Sequence, residues 1–270
     1  MATNTKTAKK PSAGFPVALV IPIIFIITWL IYLFVLGDGS NFQGGNNANE
    51  PLPGNYLGVV YKGGFIVPFL MGFFLIVIVA MIERFFTLNK AKGKGSIAEF
   101  VRKIQAYLHA NDVDGAIAEC DKQRGSVASV VRNGLVKYGQ MQSANDLTMD
   151  QRVGAIASEI EESTSLELPI LEKNLPILAT LAPTATLLGL IGTVLGMIKA
   201  FAALANAGAP DAGALATGIS EALINTALGI STSFFAIIAY SYFTNKIDQM
   251  TYGIDEASFS MQQTFANMNR

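Results

Sequence analysis

Cysteine and histidine each occur once in the 270 residues, and charged side chains make up only 14% of the chain. The lone Cys120 cannot close an internal disulfide, and with His109 as the only other soft ligand no ordinary zinc set can be assembled. A buried structural thiol is the expected role of Cys120. The scarcity of charge, with half of all residues apolar, excludes an ordinary soluble domain and points to a membrane protein. The common enzyme signatures are also missing: there is no phosphate-binding glycine loop followed by a basic residue, no HExxH and no GxSxG. No catalytic residue, cofactor, metal or nucleic-acid partner is expected.

The few charges are segregated, which leaves stretches 11–37, 63–82, 174–198 and 222–245 free of them. Each is long enough to cross about 30 Å of hydrocarbon as a helix. The first follows Lys6, Lys9 and Lys10 as a signal peptide would. Its apolar run is longer than a signal core, and no small-x-small cleavage site follows it directly, so a retained helix is expected. Lys and Arg concentrate in the N-terminal tail, in 84–173 and in the C-terminal tail, which places both termini and the middle segment in the cytoplasm. The expected organisation is all-α. It comprises a cytoplasmic tail (1–15), a first crossing (16–36), an extracytoplasmic loop (37–62), a second crossing (63–86), a cytoplasmic helical domain (87–173), a third crossing (174–205), a short turn (206–213), a fourth crossing (214–245) and a cytoplasmic C-terminal helix (246–270).

The loop is rich in Gly, Asn and Pro and poor in apolar residues, so it reads as an exposed connection. In the cytoplasmic segment, Ile97, Phe100, Val101, Ile104 and Leu108 recur at helical spacing, and two further helices are expected on either side of a break at Gly125. An acidic amphipathic stretch then runs into the third apolar segment, with kinks expected at Pro169 and Pro176. Such a helix, continuing from cytoplasm into membrane, would couple the bundle rigidly to the membrane domain.

The last two apolar segments carry unusual polarity. "LGLIGTVLGMIKAF" contains Gly189, Gly192, Thr193 and Gly196, and "GISEALINTALGI" contains Glu221, Asn225, Thr226 and Gly229. Small residues four apart let membrane helices approach closely, so helix packing is the ordinary reading of these glycines. With the turn centred near Ala209, Thr193 and Thr226 reach similar depth in an antiparallel hairpin, and Glu221 lies one to two turns nearer the outer face. A carboxylate in hydrocarbon is costly without a wet cavity or a partner. Two readings of Glu221 stay open on spacing alone: an ion pathway, or a headgroup-level position.

Together the two motifs resemble the core of the MotA/TolQ/ExbB proton-channel family, and Glu221 followed five residues later by Thr226 resembles ExbB and TolQ in particular. The resemblance implies that Thr193, Glu221 and Thr226 line a proton pathway. It further implies a multi-pass protein of the bacterial inner membrane, assembled as a homo-oligomeric ring, a pentamer, around an ExbD-like single-span partner. That partner supplies the proton-carrying aspartate and, with a TonB-like protein, energises import across the outer membrane. None of the four apolar segments of this chain contains an Asp, in keeping with a carrier supplied by another chain. Related readings are a TolQ-like, gliding or flagellar stator; a reading of another class is a passive scaffold. Three features depart from the ExbB pattern: the additional first helix, Asn225 where a small apolar residue is usual, and Lys199, which is expected to snorkel to the interface.

Overall fold

The computed structural model describes residues 17–144, 146–206 and 212–268. The expected tail 1–15 and most of the turn 206–213 lie outside them. The described residues are helical throughout, apart from short connections: α1 (Val17–Leu30), α2 (Tyr56–Tyr61), α3 (Val67–Lys92), α4 (Ile97–His109), α5 (Val113–Gln123), α6 (Ser126–Gln142), α7 (Met149–Glu172), α8 (Leu175–Asn206) and α9 (Ala212–Met268). They divide into two compact units. One holds Glu83–Lys173 and the chain from Phe243 onward; the other holds Pro16–Ile82 and Asn174–Tyr242.

Helical stretches beginning at Gly64, Leu175 and Gly213 are long and apolar enough to cross a membrane. The apolar helix Val20–Leu36, in the place of the expected first crossing, is shorter among the described residues. Its last turn, Ile31–Leu36, is π-wound, with the Gly37 N–H donating to Tyr32 O at 2.9 Å. The carbonyls left over at this end are satisfied by a side chain, since Asn41 Nδ2 donates to Val35 O at 2.8 Å and to Leu36 O at 3.1 Å.

The following loop is more ordered than its composition suggests. Phe42 and Asn41 are buried, Tyr61 stacks on Tyr32 with ring centroids 4.8 Å apart, and Asn55 caps α2 by accepting from the N–H groups of Leu57 and Gly58. Aromatic side chains supply the apolar contact that aliphatic residues here do not. Tyr32, Leu36 and Val67 form a small core against which Trp29, Val60, Ile224 and Leu228 pack, so the additional first helix rests on α3 and α9.

In the other unit the amphipathic stripe forms as its spacing predicts: Phe100, Val101, Ile104 and Leu108 are buried, and Ile97 lies against Gly253 of α9. The expected break occurs at Arg124 (φ 58°) and Gly125 (φ 89°). A Cβ on Gly125 would overlap Ala91 O and come within 2.8 Å of Gly93 N, so only glycine fits both the angle and the space. The expected helix from acidic stretch into membrane does not run unbroken. It passes through Pro169 and stops at Glu172, and α8 begins at Leu175, with Pro176 in its first turn. Proline has no N–H to offer the carbonyl one turn back, and at a helix start that loss costs little. The freed end of α7 is capped by Arg84, which is fully buried and donates to Leu171 O at 2.8 Å. Its other nitrogens pair with Glu83 at 2.6 and 2.7 Å.

Candidate functional site

Helices α8 and α9 meet on a floor of small residues. A Cβ added to Gly189 would lie 2.9 Å from Asn225 O, one on Gly196 would lie 2.8 Å from Ala222 N, and one on Gly229 would lie 2.6 Å from Ala185 O. Gly192 faces the Asn225 side chain, and Gly218 faces Ala200. The backbones therefore touch, as small-residue interfaces in membranes allow. Gly189, Gly192, Gly196 and Gly229 all lie at this contact, and they are satisfied within a single chain. The glycine faces thus do not by themselves require neighbouring copies.

On this floor the structure brings Thr193 and Thr226 together, with their hydroxyls hydrogen-bonded to each other. Thr193 Oγ1 also lies 3.3 Å from Gly189 O and 3.4 Å from Ala222 O. A threonine hydroxyl has one proton and two lone pairs, so only one of these acceptors is used at a time. Either hydroxyl can donate to the other, and when Thr226 donates, the Thr193 proton turns to a carbonyl. The pair is a reversible donor and acceptor set, and Leu190, Val194, Leu223 and Ile230, all within one helical turn of one or other threonine in sequence, are exposed.

Glu221 does not join that pair. Five residues correspond to about 140° around a helix, which turns Glu221 away from the Thr226 face. Its carboxylate, 12% exposed, accepts from Lys199 Nζ at 2.6 Å and lies against Gly64. Lys199 was expected to snorkel; its side chain is 62% exposed, but its ammonium is committed to Glu221. Asn225 sits between the two groups. It is 1% exposed, its Nδ2 donates to Gly63 O at 2.8 Å, and its Oδ1 is buried with no protein partner.

Sequence reasoning marked Lys199 and Asn225 as departures without assigning them contacts, and it missed Gly63 and Gly64. The available signal was the Gly-Gly pair directly before an apolar run, which marks a tight turn. Among the described residues no group of three His, Cys, Asp or Glu side chains is placed to hold a metal ion.

No curated protein matches the chain. Residues 126–256 match the model of the MotA/TolQ/ExbB proton channel family, a span that runs from the start of α6 through all of α8 and the site-bearing part of α9.

Proposed function

We propose that this chain is an ExbB-type subunit of an inner-membrane, proton-driven motor. It assembles as a ring, a pentamer, around an ExbD-like single-span partner, and works with a TonB-like protein to energise import across the outer membrane. Both termini face the cytoplasm. The chain performs no covalent chemistry; it transduces, because a proton gradient does work only when ion movement is coupled to a rearrangement between states. The observation that carries the reading is the Thr193–Thr226 hydroxyl pair on its glycine floor, inside the region matched by the proton-channel family. Such a pair can hydrate and orient a proton carried by the carboxylate of another chain. The match of Glu221 and Thr226 to the ExbB and TolQ pattern supports the ExbB assignment over the flagellar type.

The test is proton flux in vesicles containing this protein with and without the single-span partner. Partner-dependent flux is expected. An assembly that conducts no protons under either condition would leave the scaffold reading, in which the polar residues only pack helices. Iron-chelate uptake in cells lacking the protein then separates the import motor from a TolQ-like or gliding stator.

A further inference from the structure

The outer end of the membrane unit contains a set of contacts that the hydroxyl pair does not use. Gly63 and Gly64 connect α2 to α3, and a single stripe of α9 grips them. Glu221 touches Gly64, Ile224 Cγ2 lies 2.9 Å from where a Cβ on Gly63 would stand, and Asn225 Nδ2 holds Gly63 O at 2.8 Å. Glycine is required at 64 for two reasons. Its φ is +79°, and a Cβ there would collide with Glu221 Oε1. The carboxylate is thus fixed on one side by backbone. On its other side Lys199, from the opposite helix of the hairpin, reaches Oε1 at 2.6 Å. A carboxylate only 12% exposed, one turn from the Tyr32, Leu36 and Val67 core on which Ile224 packs, is costly to hold without a counter-charge. Lys199 supplies that charge from a side chain that is itself largely exposed.

We propose that Lys199 is a positioning residue for the proton path: it pins Glu221 against the Gly63–Gly64 junction, so that Glu221 serves as a fixed, charge-compensated wall of the outer mouth and not as a mobile carrier. The flux arm of its test rests on the proton-channel reading above; the labelling arm does not. The full-length protein in lipid vesicles is treated with a carbodiimide, and modification of Glu221 is followed by peptide mass spectrometry, with Glu221→Gln as the blank. Lys199→Met keeps side-chain length and removes the charge. It should speed labelling of Glu221 by about tenfold, the scale of one charge-assisted hydrogen bond, whereas Lys199→Arg should label as the wild type does. With the partner present, Lys199→Met should lose most of its flux at unchanged oligomer yield. Lys199→Arg should keep it, and the exchange of Lys199→Glu with Glu221→Lys should recover more flux than either single change retains. Equal labelling of Glu221 in Lys199→Met and wild type would overturn the proposal, as would wild-type flux in Lys199→Met. A wild-type assembly without partner-dependent flux would overturn the channel reading instead, and the labelling comparison would still decide whether Lys199 holds Glu221.

Discussion

The hydroxyl of Thr193 on α8 is hydrogen-bonded to that of Thr226 on α9, 33 residues further along the chain. Replacing either by Val keeps the shape and removes a donor and an acceptor, so the partner left behind can only turn to a backbone carbonyl. Each single change is expected to slow partner-dependent proton flux by about 2- to 10-fold, from the net worth of one hydrogen bond, with oligomer yield unchanged. Because the two hydroxyls share one bond, the double variant should be worse than either single but less than additive. Wild-type flux in the double variant would remove the pair from the mechanism.

Much of this geometry was legible in the residues. The charge-free runs, the stripe through Phe100 and Leu108 and the break at Gly125 each follow from a local rule, and the equal depth of Thr193 and Thr226 follows from counting out from the turn. The partner of Glu221 was not legible. Depth along a helix can be counted, but whether Lys199 turns to water or to an acid 22 residues away depends on how the two helices are rotated about their axes. The Arg84 contact with Leu171 was hidden for a related reason, since it joins residues 87 apart and no periodicity records it. The folding of the loop was missed because composition registers too few aliphatic residues and does not register that Tyr32, Phe42 and Tyr61 meet. The cap of α7 was legible but unread: Thr148 and Gln151 stand three apart and form a reciprocal capping box.

Two glycine-to-alanine changes should have opposite signs. Gly154 in α7 is exposed and has nothing within 4 Å of a built Cβ, so Gly154→Ala should gain the usual helix preference of about 0.5–1 kcal/mol. Gly229 would place a Cβ 2.6 Å from Ala185 O and 3.0 Å from Gly189 Cα, both backbone atoms that cannot rotate aside. Gly229→Ala should therefore force the helices apart at a cost of about 1–3 kcal/mol. Thermal midpoints of the purified variants decide it, and equal shifts would mean that α8 and α9 do not pack here.

Arg84→Ala should be among the most damaging single changes in the unit that holds Glu83–Lys173. The guanidinium is fully buried, neutralises Glu83 and satisfies Leu171 O at the end of α7. Removing it strips a carboxylate of a buried counter-charge and a carbonyl of its donor, a class of change that costs about 3–5 kcal/mol. Arg84→Lys can restore charge but not the three-point geometry, so it should recover only part of the loss. Full stability of Arg84→Ala in a melting experiment would show that the pair contributes nothing to the fold.

Cys120 offers a pH-dependent test of the helical unit. The thiol is 2% exposed, and burial raises its pKa from the ordinary 9.0 to about 12, with the neighbouring Asp121 acting in the same direction. The neutral thiol is the form that the fold accepts. Below pH 9 the thiol is protonated in both folded and unfolded chains, and its contribution to stability is fully present. As pH rises above 9 the unfolded chain releases the proton and the folded chain keeps it, so stability falls by up to about 1.4 kcal/mol per pH unit until the folded thiol itself ionises. Two outcomes are expected. Native protein at pH 8 should resist alkylation by iodoacetamide until it is unfolded, because the thiolate is the reactive species. Cys120→Ala should lose some packing at every pH, yet show a shallower decline of thermal midpoint between pH 9 and 11 than the wild type. Rapid alkylation of the folded protein at pH 8, or identical slopes for the two proteins, would place Cys120 outside a closed core.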